Sequence, residues 1–359
     1  MTILFVLSWL LLVIYSFTRQ DLNLTWYNQL TVSLQTLGWY QRPLATLIFV
    51  VLSLVFIAIY LKLIRTSIKW HWLLLLAAAG ILAYPMFSYD LFNYIFNAKM
   101  VWIYQANPHL RTAIEFSADP MLRFMQNVHT PAPYAYGWTL ASLLPGLVWF
   151  SSKFTLAFWS MKAFVALFWL AQLWILKKLV AKLFPQEPWR FWLFALNPLV
   201  LVETLINGHN DVVMIFLALL AYWFLLHSRK IKSVIFLLLS ASIKYASIVL
   251  LPFFILRRQS LKKLDIPTLS AIALSLVMFT RPDQLHSWYL IWAFSFAVLA
   301  KPKWVVSIFT ALTFGALLRY APYIYFGHWD PPVYLIRNLI WVVSLGFVPL
   351  IRRFLARRD

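Results

Sequence analysis

The chain has 359 residues, of which 63% are hydrophobic and 12% charged, and its formal net charge is +20. Soluble domains carry about 25% charged residues, so this composition excludes a soluble globular protein and indicates a membrane protein. The basic residues gather in short groups between apolar segments, as the positive-inside rule describes. We therefore attribute the net charge to topology and expect no nucleic acid as a partner. The absence of cysteine excludes disulfides and thiolate catalysis.

Apolar segments follow one another along the whole chain. The first, 3–17, lacks a basic start and a cleavage site, so we expect a retained helix and not a signal peptide. The others lie at 43–61, 70–87, 138–150, 154–176, 190–206, 211–227, 231–256, 264–280, 286–300, 303–320 and 333–351. A span needs about 20 apolar residues, and we predict an all-α polytopic membrane protein of about 10–12 transmembrane or re-entrant helices. They are expected to form a single domain over 1–359.

The longest polar interruption of the chain, 88–137, is too long for a simple connector. We expect it to be a large outer loop that bears interfacial helices and carries the catalytic residue. Polar residues at helical spacing predict an amphipathic helix along the membrane interface. They are Asp90, Asn93, Tyr94, Asn97 and Tyr104. The alternative is that Asp90 only caps the start of this helix.

Basic residues at 62–69 place the connection before the third segment inside, and hence the 88–137 loop outside. Simple alternation would then put the basic stretches 177–190 and 229–232 outside as well, against the positive-inside rule. The conflict disappears if two of the apolar segments do not span the membrane.

The short segment 138–150 is expected not to cross, and 231–256 is expected to enter and return as a hairpin bent at 240–247. About ten full crossings then remain, with both termini inside. On this topology 207–211 lies outside, on the same side as the 88–137 loop.

Three polar residues in succession, His209, Asn210 and Asp211, separate two apolar segments and follow Glu203. Side chains of these types bind sugar hydroxyls or phosphates, and polar groups between membrane helices are typically functional. Two alternatives stay open. Asp211 suits the first turn of the next helix, and His209 with Asp211 could hold a divalent metal, although two ligands are weak support.

Further candidates lie nearer the C-terminus. Lys244, inside a long apolar run, should face a cavity or pair with an anion, unless it reaches the interface by snorkelling. Arg281, His286 and Tyr289 stand at the predicted outer start of a helix, where interfacial anchoring would also explain the tyrosine.

Five motifs occur in the same order as in a known family. They are Tyr89-Asp90 with Tyr94 and Asn107-Pro108, Pro133-Tyr134 with Tyr136-Gly137-Trp138, Asn197-Pro198 with Gly208-His209-Asn210-Asp211, Ile243-Lys244 with Pro252, and His286-Ser287-Trp288-Tyr289-Leu290-Ile291-Trp292. With them the chain resembles the GT-C superfamily of membrane glycosyltransferases over residues 80–300. Within it, the polyprenol-phosphate-mannose-dependent α-mannosyltransferases are the most similar.

The resemblance implies an inverting hexosyltransferase of the cell membrane. It would move a sugar, mannose, from a polyprenyl-phosphate donor to a lipid or glycan acceptor on the outer face, in contact with membrane lipids. Asp90 occupies the position of the family's catalytic base. The expected substrate-binding residues are Tyr94, His209, Asn210, Asp211, Lys244, Arg281, His286 and Tyr289. No cofactor is implied, with a divalent metal left open. The alternatives are a lipid or sugar transporter or flippase, and a noncatalytic scaffold.

Overall fold

The computed structural model describes residues 1–24, 28–64, 66, 68–256, 265–280 and 285–356, and in these ranges it contains helices and no strand. The all-α fold class is thus confirmed. The α-helices, in chain order, are α1 Thr2–Ser16, α2 Asn28–Tyr40, α3 Arg42–Leu63, α4 Trp70–Leu82, α5 Asp90–Trp102, α6 Tyr136–Gly146, α7 Phe154–Leu183, α8 Trp189–Ala195, α9 Pro198–Leu201, α10 Asp211–Leu226, α11 Lys230–Ile243, α12 Leu251–Leu256, α13 Ile266–Phe279, α14 Leu290–Ala297, α15 Lys303–Leu318, α16 Ala321–Phe326, α17 Val333–Val343 and α18 Val348–Ala356.

Within the described ranges, 5 helical stretches are long and apolar enough to cross a membrane. They are Thr2–Arg19, Arg42–Leu63, Phe154–Leu183, Lys303–Phe326 and Val333–Leu355. A bent pair, α8 followed by Pro198–Ile206, turns by 44° and forms a further broken span or re-entrant segment. Shorter apolar helices cover Trp70–Leu82, Asp211–Leu226, Tyr245–Ile255 and Ile266–Phe279. The fold is therefore that of a polytopic membrane protein, and the total of ten crossings stays a prediction.

The two segments that disturb simple alternation are both irregular in the structure. Helix α6 has 11 residues, which at about 1.5 Å per residue is too short for about 30 Å of hydrocarbon. Helix α11 ends at Ile243, and Lys244 is extended, with φ −153° and ψ 123°. The chain then continues through a 3-10 turn, Tyr245–Leu250, into α12, which packs back against α11. The predicted break within 240–247 is therefore present.

Helix α5 begins at Asp90 as expected but is more enclosed than an interfacial helix. Asn93 and Asn97 on its polar side are buried, and so are Leu91 and Ile95 on its apolar side. Protein covers the helix on both sides because α6 and α7 pack against it. Tyr104 lies beyond the helix end at Trp102, so its predicted place on the helical face is wrong.

Candidate active site

The bent segment that leads to the polar residues 207–211 begins at Asn197. Its side chain caps α9 by accepting hydrogen bonds from the amides of Leu199 and Val200, and Pro198 suits the first helical turn, where no amide donor is required. The helix then widens into a π-helix, Val202–Ile206, a geometry often found at functional sites. Helix α10 begins only at Asp211, so residues 207–210 form a connection between two buried helices.

Gly208 allows this connection to pass close to α5. Its φ is +77°, and a β-carbon there would lie 3.0 Å from the Leu91 side chain, so a larger residue would be strained and crowded. Asn207 ties the connection to the segment before Asp90, because its side-chain oxygen accepts hydrogen bonds from the amides of Met86 (3.1 Å) and Phe87 (3.2 Å). The turn therefore brings 207–211 against the start of α5.

Asp90 lies at the centre of the site. Its Oδ1 accepts a hydrogen bond from the Tyr134 hydroxyl at 2.9 Å, and its Oδ2 lies 3.4 Å from Nδ1 of His209. Its side chain is 22% exposed, whereas those of Asp211 and Glu203 are 4% and 0% exposed. Of these three carboxylates, only that of Asp90 is accessible to a substrate.

His209 is enclosed between two acids. Its Nε2 lies 3.3 Å from Oε2 of Glu203, and its ring stacks on Trp288 with 4.1 Å between ring centroids. The Glu203 carboxylate also accepts hydrogen bonds from the Tyr320 hydroxyl and from the side-chain amide of Asn207, each at 2.7 Å. Asp90, His209 and Glu203 thus form a continuous row of ionisable groups.

The pKa values of the first two members are shifted in opposite directions, and both lie outside the membrane-spanning helices. Burial raises the pKa of Asp90, but the contact and charge of His209, the charge of Lys244 and the Tyr134 hydroxyl outweigh burial and lower it. Burial lowers the pKa of His209, yet Asp90 and Glu203 together raise it to about 9. At neutral pH an imidazolium therefore faces an ionised Asp90.

Lys244 and Asp211 form a second charged pair of the site. The ammonium donates to Asp211 Oδ1 at 2.8 Å, and the same oxygen accepts a hydrogen bond from the Trp292 indole at 2.5 Å. Lys244 Nζ also lies 4.9 Å from the Tyr289 ring centroid. The apolar run around Lys244 predicts a cavity or an anion beside this lysine, and the structure supplies Asp211. Asp211 also begins α10, so its helix-start role and its ion pair coexist.

Tyr94 and Asn210 meet across the same site. The Tyr94 hydroxyl accepts a hydrogen bond from the backbone amide of Asn210 at 3.4 Å. The Tyr94 ring packs edge-on against Tyr134. Several buried polar atoms here have no hydrogen-bond partner within the described residues: Nδ2 and Oδ1 of Asn210, Oδ2 of Asp211 and Nε1 of Trp288. Because buried polar atoms are normally satisfied, these atoms distinguish the cluster from an ordinary packed helix interface.

The remaining predicted residues differ in outcome. His286 stacks on Trp288 at 4.2 Å and thereby joins the cluster, and Tyr289 reaches it through Trp292 and Lys244. Arg281 lies outside the described residues. The structure thus brings together all the predicted site residues that it describes.

Four further residues shape the site although they were not among the predicted site residues: Glu203, Tyr134, Trp292 and Lys162. Lys162, buried in the middle of α7, donates to the carbonyl of Leu205 and, at 2.7 Å, to that of Ile206, and so satisfies the end of the π-helix. Glu203 and Lys162 shared one usable signal, because each is an ionisable residue within an apolar segment. Tyr134 and Trp292 had no such signal beyond their place in the family motifs.

A metal site through His209 and Asp211 finds no support in the geometry. His209 faces Asp90 and Glu203, while Asp211 binds Lys244 and Trp292. Across the described part of the chain, no group of three or more histidine or acidic side chains is placed to hold a metal ion.

An accessible carboxylate backed by buried charges, among apolar helices, suits a membrane protein that acts on a polar group. The sequence matches the family described as alpha-(1->6)-mannopyranosyltransferase, N-terminal domain, over residues 3–259. This match spans more than half of the chain, so the protein belongs to that family and is a mannosyltransferase. The resemblance drawn from the motifs is confirmed. No curated protein and no solved structure shows a significant match.

Proposed function

We propose that this protein transfers mannose, with inversion, from a polyprenyl-phosphate donor to a mannose-containing glycan or glycolipid on the outer membrane face. The family description supports an α-(1→6) linkage, and hence the primary 6-hydroxyl of an acceptor mannose as the nucleophile. Inversion of a β-linked donor yields the α-linked product. The GT-C motifs of the sequence support the choice of donor.

The accessibility of Asp90 carries this proposal. A base must reach the acceptor hydroxyl, and Asp90 is the one carboxylate of the described site that combines exposure with a lowered pKa. As the acceptor oxygen attacks the anomeric carbon, its proton passes to Asp90 and the bond from that carbon to the phosphate oxygen breaks. A positioned base contributes about 10²–10⁴-fold to such a step.

The leaving group is a lipid phosphate that gains negative charge, which a nearby cation would stabilise. Lys244 is the described candidate, and Asp211 partly neutralises it. Burial lowers the pKa of His286 to about 4, so its ring is neutral near pH 7 and would supply a hydrogen bond and not a charge. Arg281 keeps this role as a sequence prediction. Sugar binding by Asn210 and Asp211 stays a sequence prediction, because both side chains are buried. The polyprenyl tail would lie against the apolar helices.

The test uses the purified full-length protein, labelled polyprenyl-phosphate mannose and an α-mannoside acceptor. We expect Asp90→Asn to lower kcat by about 10²–10⁴-fold. Asp330→Asn is the matched control, because Asp330 is 86% exposed, and it should keep full activity. Undiminished transfer by Asp90→Asn would overturn the base assignment. Donor movement across vesicles without bond cleavage would instead support the transporter alternative.

A further inference from the structure

Glu203 is a fully buried acid within an apolar helix. Its side chain is 0% exposed, and it belongs to the π-helix Val202–Ile206 within the bent segment. Placing a carboxylate in such surroundings is costly unless it is paired, so acids at such positions are typically functional. Because Glu203 is buried, it cannot touch a substrate directly, and any effect on the reaction must pass through a neighbour.

Among the neighbours of Glu203, His209 is the residue through which Glu203 can act on the reaction. Tyr320 and Asn207 each donate one hydrogen bond to the carboxylate at 2.7 Å. The third neighbour, Nε2 of His209 at 3.3 Å, belongs to the ring whose other nitrogen lies 3.4 Å from Asp90. The hydrogen bonds of Tyr320 and Asn207 end on Glu203, so among these described neighbours the imidazole alone lies against both acids.

His209 cannot serve both of its acids as a neutral ring. A neutral imidazole has one N–H donor and one acceptor, whereas an ionised carboxylate only accepts. Since both ring nitrogens face carboxylates, the doubly protonated ring is the form that suits both contacts. The ring is 2% exposed and stacked on Trp288, so it is closed off from the open side of the site and its nitrogens face the two carboxylates.

We propose that Glu203 is a positioning residue that keeps His209 protonated and directed at Asp90, so that Asp90 rests as an oriented carboxylate. This inference rests on the proposed function. It also changes the role expected for His209, from a substrate ligand to a support of the catalytic base.

Other titratable groups surround this row. They are Lys244, Asp211, His286, Tyr94, Tyr134, Tyr320 and Arg319. The charge of Glu203 also acts on Tyr320 and Arg319, so a pH shift in a Glu203 variant is assigned to His209 by comparison with a variant that lacks the imidazole.

The experiment is a pH profile of kcat and KM for the purified full-length protein with the donor and acceptor named above. In the wild type, activity should fall at alkaline pH as His209 loses its proton, with a pKa of about 9. Glu203→Gln keeps the size of the side chain and one accepting oxygen, but it removes the charge and replaces the other oxygen with an NH2 donor. We expect its alkaline limb to move to lower pH, with kcat falling roughly tenfold per pH unit above the new pKa and KM unchanged.

Glu203→Asp restores the carboxylate and should return the alkaline limb toward the wild-type position. A variant that was merely less stable would lose activity at all pH values without moving the limb. If Glu203→Gln fails to fold, the pH profile of His209→Gln provides the test. Without the imidazolium the alkaline limb should vanish, and the acid limb should move to higher pH as the pKa of Asp90 rises.

An unshifted profile in Glu203→Gln, or in His209→Gln where that variant is needed, would overturn the inference. If Asp90→Asn is inactive while the Glu203→Gln profile is unchanged, the proposed function stands and only this inference fails. If the wild type transfers no mannose from the lipid donor, the proposed function itself fails.

Discussion

The Tyr134 hydroxyl donates a hydrogen bond to Asp90 Oδ1 at 2.9 Å and thereby joins the two ends of the 88–137 loop. These residues are 44 positions apart. Tyr134 also packs edge-on against Tyr94, with ring centroids 4.9 Å apart. The loop is therefore closed across the candidate base, and its C-terminal end orients the carboxylate.

Replacing Tyr134 with phenylalanine should weaken catalysis without removing the ring. A hydrogen bond to a charged group contributes about 1.5–3 kcal/mol, so we expect kcat of Tyr134→Phe to fall roughly 10- to 100-fold. The acid limb of its pH profile should move to higher pH, because the lost donor helped to lower the pKa of Asp90. Mannosyl transfer measured against pH provides the check.

The matched control is Tyr136→Phe, two residues away. Tyr136 is 55% exposed and stacks on His109 without a hydrogen bond to Asp90. Its variant should keep the wild-type profile, and equal profiles for both phenylalanine variants would contradict the role assigned to Tyr134.

Removal of Lys244 alone should destabilise the protein. Asp211, 4% exposed, would then keep only the Trp292 donor on Oδ1. Loss of one partner of a buried ion pair costs about 3–5 kcal/mol, and we expect roughly 3 because Lys244 is partly exposed. Thermal unfolding in detergent should give a lower Tm for Lys244→Met. The double variant Lys244→Met, Asp211→Asn should recover part of the loss, and a double variant no more stable than the single one would refute the pairing.

Asp119 should control the order of the 88–137 loop. Its carboxylate, 1% exposed, pairs with Lys99 at 2.5 Å and accepts hydrogen bonds from the Tyr104 hydroxyl at 2.7 Å and the Met121 amide at 2.9 Å. Asp119→Asn removes the ion pair, and we expect faster hydrogen exchange of amides at 104–125. Asp330→Asn, at an exposed site, should leave this exchange unchanged.

The stabilisation by Asp119 should also depend on pH. Burial raises its pKa, but the contacts with Lys99, Tyr104 and Met121 outweigh burial and lower it. A carboxylate with a lowered folded-state pKa stabilises fully above its unfolded-state pKa, and this contribution is lost as the pH falls through the folded-state value. Loop protection in the wild type should therefore decline in acid. In Asp119→Asn it should be low at every pH, and a decline as steep as in the wild type would refute the assignment.

The topology can be read with single cysteines because the chain has none of its own. Ser117 in the 88–137 loop and Thr66 before α4 are both exposed. With a membrane-impermeant thiol reagent on intact cells, we expect labelling of Ser117→Cys and not of Thr66→Cys until the membrane is opened. The reverse pattern would invert the predicted orientation.

Much of the fold is readable from the sequence because the length and hydropathy of a segment are properties of contiguous residues. The segment 154–176 predicts the span within α7, and the short run 138–150 predicts a helix that cannot cross. The end of a helix is harder to read from the sequence, because polar residues can keep the helical spacing beyond the last helical residue. Tyr104 shares the helical spacing of Asp90, yet the helix stops at Trp102.

The sequence by itself determined the membrane class, most of the apolar helices but not α2, the family, and most of the polar residues that meet at the site. Only the tertiary structure decided which of them touch. The pairing of Lys244 with Asp211, 33 positions apart, depends on how α10, α11 and α14 pack. Likewise, the row from Asp90 through His209 to Glu203 depends on the π-helix and on the turn at Gly208. Such contacts follow from the packing of whole helices, which the spacing of residues along one segment cannot specify.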